Sequence, residues 1–148
     1  MNLPNTSALP PALLQAYCET RYWVNAALPE QAAFALQIDE VSKPLAALHK
    51  KFAVDCSAFV TAWNPLGESL SDSENAIRQE SLVKVARARS LSWLEGIGQH
   101  PNNEWPGEHS VLIFGLSLAA AKVPAQDFEQ NAFVWSGADA KPQLVLLR

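Results

Sequence analysis

Polar side chains able to hold an anion stand at the start of one strongly predicted helix, residues 71–89. With about 100° of rotation per residue, Glu74 and Arg78 project from the middle of its apolar face, and Asn75 from the edge of that face. A polar group on a buried face is costly unless another group pairs with it, so these residues mark a candidate site. Arg78 offers a planar guanidinium for two-pronged recognition of an anion, and the free amides of the helix start favour the same charge.

Arg78 also has a structural interpretation, in which it ties the loop from Asn64 to Ser71 onto the helix. Glu74 lies four residues before Arg78, a favourable spacing for an ion pair. Ser71 and Glu74 also have the form of a capping box, in which each side chain bonds the other's backbone amide. Glu108, just before a predicted strand, could supply the carboxylate that pairs with Arg78. The sequence leaves these alternatives open.

Other patterns for catalysis or metal binding are weak. The loop 99–109 has two histidines and two carboxylates, but their spacing matches no zinc signature, so no metal or cofactor is predicted. Cys56 could act as a nucleophile only with a base such as His49 beside it, and a buried thiol is the simpler interpretation. Ser117 is predicted to cap a helix, because a hydrolase serine in that setting needs a later histidine and none follows.

The elements that position these residues alternate between helices and strands, which predicts a single-domain α+β fold with a mainly antiparallel or mixed sheet of about seven strands and about four helices. The predicted strands cover residues 22–24, 34–38, 58–63, 91–97, 111–116, 132–135 and 144–147. The predicted helices start near Pro10, Ser42, Ser71 and Ser117, the last with an interruption near Pro124. The long helix is predicted to bury Ile77, Leu82, Val85, Ala86 and Ala88 and to expose Gln79, Glu80, Lys84 and Arg87.

Composition indicates one globular domain over residues 1–148, with residues 1–9 as a loose tail. The chain is 49% hydrophobic and 18% charged, which excludes a disordered protein. A net charge of −4 and scattered basic residues argue against a nucleic-acid partner. The first residues of the chain do not match the pattern of a signal peptide, and no apolar run reaches the length of a membrane span. We therefore expect a cytoplasmic protein with Cys18 and Cys56 as reduced core thiols, and its oligomeric state is left open.

Several motifs stand out along the chain: residues 59–65 (FVTAWNP), Ser71, Asn75 and Arg78 in the helix, Trp105-Pro106 with Glu108 and Ser110, and Phe128 with residues 130–132 (QNA). Taken together, they resemble a small bacterial family described only as a domain of unknown function. The similarity covers roughly Tyr17 to the C-terminus, and it departs from the family pattern at His100 and Glu129, where aspartate and glycine are expected. It implies no established activity. The resemblance groups as polar residues of interest Asn64, Ser71, Asn75, Arg78, Glu108 and Asn131.

Three functions are compatible with these observations. The leading hypothesis is a non-catalytic binding or regulatory domain that takes a small anionic or polar ligand. Its candidate site residues are Asn64, Ser71, Glu74, Asn75, Arg78, Glu108 and Asn131. The second hypothesis is a protein-interaction module with a structural Arg78, in which five tryptophans partly serve an interface. The third is a small enzyme that holds an anionic substrate with Arg78 and uses Glu74 or Glu108 as general base.

Overall fold

The computed structural model describes residues 9–25, 32–102 and 107–148, and within them it has the predicted α+β architecture. The helices are α1 (Pro11–Glu19), α2 (Lys43–Lys51), α3 (Asp72–Ala88) and α4 (Leu118–Asp127). The strands are β1 (Arg21–Val24), β2 (Phe34–Leu36), β3 (Ser57–Thr61), β4 (Trp93–Gln99), β5 (Glu108–Phe114), β6 (Ala132–Ser136) and β7 (Gln143–Leu146). Residues 1–8 of the predicted tail and the predicted Trp105-Pro106 motif lie outside the described residues. In the described parts of the chain, no helix has the length and apolarity needed to cross a membrane.

The seven strands form one sheet in the order β2-β1-β4-β5-β3-β6-β7, and every neighbouring pair is antiparallel. The chain segments next to the two edge strands meet through backbone hydrogen bonds. The amide of Asp39 donates to the carbonyl of Pro142 at 2.8 Å, and the amide of Ser42 donates to the carbonyl of Ala140 at 2.9 Å. The sheet is therefore curled, with its two edges brought towards each other.

Both faces of the sheet are covered, because its central strands carry apolar side chains on each side. On β5, Val111 and Ile113 point to the face covered by α3 and α4, while Leu112 and Phe114 point to the face covered by α2. Successive residues of a strand alternate between faces, which explains this division. Burial of such side chains stabilises the fold by about 1.5–3 kcal/mol each.

Three serine caps fix the helix starts, as predicted. Ser42, Ser71 and Ser117 each accept a hydrogen bond from the amide three residues later. The predicted interruption near Pro124 is wrong, because α4 continues through this residue to Asp127. Proline removes only one helical amide, and Pro124 is buried together with Ala121 and Ala125, so packing onto the sheet outweighs that loss.

The two cysteines are free and lie in different environments. Cys56 is a buried thiol, as predicted, and its Sγ donates to the carbonyl of Leu116 at 3.4 Å. Cys18 is exposed, so its assignment to the core is wrong; α1 is short and buries only Ala16. His49 does not serve Cys56 as a base, because its Nε2 lies 2.8 Å from the hydroxyl of Ser57.

We expect His49 to make folding stability depend on pH. The side chain is only 5% exposed, and burial lowers its pKa in the folded state. The unfolded chain takes up this proton near the ordinary histidine pKa of about 6.5, so the stabilisation is complete above that pH and is lost as pH falls through the folded value. Urea unfolding at a series of pH values should show this loss in the wild type and a flatter dependence in His49→Gln. His109→Gln, which changes an exposed histidine, should behave as the wild type does; an unchanged slope in His49→Gln would contradict the assignment.

Candidate functional site

The candidate residues of four elements meet at one end of the sheet. β3 runs antiparallel to both β5 and β6, so the residues that follow β3 lie beside the starts of the other two strands. Asn64 follows β3, Glu108 is the first residue of β5, and Asn131 directly precedes β6. Asn75 reaches the same place from the first turn of α3.

Asn64 and Asn75 form a reciprocal amide pair that closes the turn between β3 and α3. The backbone amide of Asn64 donates to Oδ1 of Asn75 at 2.9 Å, and Nδ2 of Asn75 donates to Oδ1 of Asn64 at 2.9 Å. Asn64 has a left-handed backbone (φ 47°, ψ 67°), a conformation that asparagine tolerates better than most residues. Asn75 is 1% exposed. Its buried amide is therefore satisfied within the protein, and the pairing fixes the orientation of both side chains.

Glu108 receives the remaining donor of this pair. Nδ2 of Asn64 donates to Oε2 of Glu108 at 3.0 Å. Burial raises the pKa of the Glu108 carboxyl, and the hydrogen bond from Asn64 offsets only part of that effect. A raised folded pKa means that Glu108 stabilises the fold below its ordinary pKa and that this stabilisation is lost as pH rises through the folded value.

Glu108 does not pair with Arg78, so that expectation is wrong. Glu108 shares the face of β5 that carries Leu112 and Phe114, whereas Arg78 belongs to α3 on the opposite face. Within the described residues the ion pairs are Arg78 with Glu129 and His100 with Glu19. Glu108 is therefore a half-buried carboxylate with no cationic partner in that part of the chain.

Tyrosines of α1 and β1 complete this end of the sheet, and sequence analysis missed both. The side chains of Asn131 and Glu108 both affect the pKa of the Tyr17 phenol. Burial is the main cause of its raised pKa, and the charge of Glu108 adds to it. The Tyr22 hydroxyl donates to the Tyr17 carbonyl at 2.6 Å, and burial together with nearby charges, that of Glu108 included, raises its pKa as well. Neither residue has a local sequence signal, because both lie in short apolar patterns typical of a core.

Arg78 binds backbone carbonyls of two other elements. Its Nε donates to the carbonyl of Ala62 at 2.7 Å, and its Nη2 donates to that of Phe128 at 2.5 Å. The guanidinium also lies 5.7 Å from the centroid of the Phe128 ring and 4.0 Å from the carboxylate of Glu129. Arg78 thus connects the end of β3 and the end of α4 to α3. The structural interpretation from the sequence had instead placed its contacts in the loop from Asn64 to Ser71.

Ser71 and Glu74 form the predicted capping box at the start of α3. The amide of Glu74 donates to Oγ of Ser71 at 3.1 Å, and Oε1 of Glu74 accepts from the Ser71 amide at 3.3 Å. The expected pair between Glu74 and Arg78 does not form, because the carboxylate turns back to the helix start. Both capping side chains are exposed, so they stabilise the helix that carries Asn75.

The inward face of α3 is rotated from the predicted one. Its buried residues are Asn75, Leu82, Val83 and Ala86, with Arg78 and Gln79 half-buried between them. Ile77 is 67% exposed, and Ala88 is exposed as well. Gln79, expected in solvent, donates from Nε2 to the carbonyl of Ser110 at 3.0 Å. Hydrophobicity alone does not predict this face, because the hydrogen bonds of Asn75, Arg78 and the Gln79 Nε2 group allow polar side chains to be buried or half-buried, although Oε1 of Gln79 has no partner among the described residues.

The predicted long loop gives no metal site in the part of the chain that the structure describes. His100 is buried against Glu19, while the His109 ring stacks on Trp63 at a centroid distance of 4.9 Å. Across the described residues, no three histidine, cysteine or acidic side chains lie close enough together to hold an ion. Two surface cavities of about 420 and 320 Å³ lie elsewhere, and none of the seven candidate residues lines either.

One family model matches the chain. It is described as "Protein of unknown function (DUF3293)" and covers residues 60–133, half of the sequence. All seven candidate residues lie inside the matched segment, while Tyr17 and Tyr22 lie before it. No curated protein and no solved structure matches the chain.

We expect Arg78 to be needed for stability. In Arg78→Ala the carbonyl of Ala62 loses its side-chain donor and that of Phe128 loses one of two, which should lower the free energy of unfolding by about 2 kcal/mol. Arg78→Lys should recover less than half of this loss, because an ammonium group cannot reproduce the fork of donors. Urea denaturation measures both effects. Arg89→Ala, at the exposed end of the same helix, should match the wild type; an Arg78→Ala variant as stable as this control would contradict the structural role.

Proposed function

The chain belongs to the DUF3293 family of proteins of unknown function, and we propose that it binds a small polar ligand at the end of the sheet marked by Glu108. One observation carries the proposal. Glu108 is a half-buried carboxylate whose Oε2 accepts from Asn64 at 3.0 Å, while its other oxygen bonds no described residue. A partly desolvated acceptor of this kind gains from a ligand that donates a hydrogen bond.

The rigidity of the support favours binding. Asn64 cannot rotate freely, since its Oδ1 already accepts from Asn75 and from the amide of Leu70 at 3.0 Å. Its Nδ2 must therefore point at Glu108 before any ligand arrives. A group held in place in the free protein loses little conformational entropy on binding, which improves affinity.

The surroundings of Glu108 suit a small polar molecule. Tyr22 is aligned with Glu108 across the sheet, with Gly98 between them, and its hydroxyl donates to the carbonyl of Tyr17. Asn131, directly before β6, adds an amide that can both donate and accept. The site lies at one end of the curled sheet, where β3 ends and β5 and β6 begin. In this proposal Asn64, Glu108 and Asn131 contact the ligand, while Asn75 positions Asn64.

The proposal assigns no ligand contact to Arg78, Ser71 or Glu74. The guanidinium is engaged by two carbonyls and a carboxylate, and the other two residues satisfy each other at the helix start. An anion held by Arg78, the first expectation from the sequence, would have to displace these contacts. The geometry therefore favours a neutral or positively charged ligand group over an anionic one.

We expect a nuclear magnetic resonance screen of ¹⁵N-labelled protein to locate the site. The panel consists of small amides, ureas, alcohols, amines and carboxylates. Binding fragments should shift the amide resonances of Tyr17, Asn64, Glu108 and Asn131. The shifts should shrink in Asn131→Ala, which removes one proposed ligand contact, and persist in Asn25→Ala, an exposed asparagine at the end of β1.

Two results would contradict the proposed function. The first is a panel in which no fragment shifts these resonances. The second is binding confined to another surface, for example the cavity lined by Cys18, Lys141 and Leu144. Equal shifts in Asn131→Ala and wild type would remove Asn131 alone from the site.

A further inference from the structure

We infer that the ligand group recognised by Glu108 is a cationic nitrogen group, either a protonated amine or an amidinium or guanidinium. This inference rests on the proposed function and specifies its ligand. It follows from three features of the site: no described side chain balances the charge of Glu108, one of its oxygens bonds no described residue, and the phenols aligned with it are neutral.

The charge of Glu108 is not balanced by any described side chain nearby. Arg78 lies on the other face of the sheet and is held by carbonyls and by Glu129. His109, the next residue on β5, points away and stacks on Trp63. A half-buried carboxylate without a counter-ion is unfavourable, and a bound cation would offset that cost.

The hydrogen-bonding capacity of Glu108 also calls for donors. An ionised carboxylate has about four acceptor positions. Among the described side chains, Nδ2 of Asn64 donates a hydrogen bond to Glu108. Cationic N–H groups form the strongest hydrogen bonds to carboxylates, and a planar amidinium or guanidinium can bond both oxygens at once. An alcohol or amide would satisfy the geometry but leave the charge uncompensated.

The aromatic groups favour the same ligand charge. Tyr22 is aligned with Glu108 across the sheet, with Gly98 between them, and its hydroxyl donates to the carbonyl of Tyr17 on α1. Phenols are neutral near pH 7, so neither residue adds a second negative charge. A single carboxylate beside two phenols matches a ligand with one positive charge.

Three ligands of nearly equal size and shape test the inference: benzamidinium, benzamide and benzoate, with charges of +1, 0 and −1. Each is titrated into ¹⁵N-labelled wild-type protein at neutral pH while the amide resonances of Tyr17, Asn64 and Glu108 are followed. Benzamidinium should bind about ten-fold or more tightly than benzamide, because only it forms a charge-assisted hydrogen bond. Benzoate should cause no shift at these residues.

The variant Glu108→Gln keeps an acceptor for Asn64 and removes the charge. It should reduce benzamidinium affinity about ten-fold, to the level of benzamide, and leave benzamide binding unchanged. Glu95→Gln is the matched control, because it makes the same change at an exposed position on the neighbouring strand β4. It should bind all three ligands as the wild type does.

A measurement on the wild type alone keeps the inference testable if the variant does not fold. Benzamidinium affinity should rise with pH as Glu108 loses its proton, and benzamide affinity should not. Among the described residues, the phenols of Tyr17 and Tyr22 are affected by the charge of Glu108, and His109 is next to it on the same strand. His109→Gln should preserve the pH dependence, and this control shows that the dependence arises from Glu108 rather than from His109.

Several outcomes would overturn the inference. Equal affinity for benzamide and benzamidinium at this site would remove the charge requirement while leaving the proposed function in place. Preference for benzoate would point back to an anion site. Retention of benzamidinium binding in Glu108→Gln, or a pH-independent affinity, would also exclude Glu108 as the recognising group. If no ligand of the three shifts these residues, the inference fails, and the broader fragment panel decides separately whether a site exists.

Discussion

The reciprocal amide pair between Asn64 and Asn75 is the interaction on which this end of the protein depends. It joins the turn after β3 to the first turn of α3 through two hydrogen bonds of 2.9 Å. Because Oδ1 of Asn64 is occupied by this pair, its Nδ2 is directed at Glu108. One buried pair thus sets the turn, the helix position and the environment of the carboxylate. A polar network of this kind specifies geometry only when every member is satisfied, as both asparagines are here.

Arg78 has a structural role, whereas Glu108 is the charged residue left without a cationic partner among the described side chains. Arg78 is the conspicuous charge on α3, yet its donors are used to hold β3 and α4. Gln130 reinforces the same junction by donating to the carbonyls of Trp63 and Phe128, both at 3.1 Å. Glu108 has the sequence position of an ordinary charged residue at a strand start. Burial raises its pKa, and no cation among the described side chains pairs with it. Arg78 therefore has a structural role, and the proposed ligand recognition is assigned to Glu108 on the other face of the sheet.

Local patterns predicted the helices, the strands and the serine caps, since period and capping depend on residues close in the chain. The order of the strands could not be predicted, because pairing between distant segments leaves no local signal. The inward face of α3 was misplaced because Gln79 is polar but bonded to Ser110, while the apolar Ile77 is exposed. Tyr17 could not be linked to the proposed site from the sequence, because only the fold brings α1 to Tyr22 of β1.

Glu108 is a partly desolvated carboxylate without a cationic partner among the described residues. A pH titration of its side-chain carboxyl by ¹³C nuclear magnetic resonance tests this directly, with Glu108→Gln identifying the resonance. The account predicts that the pKa of Glu108 lies above its ordinary value, because burial outweighs the bond from Asn64. A pKa at or below the ordinary value would contradict the account, since it would require either full solvation or a cation beside the carboxylate.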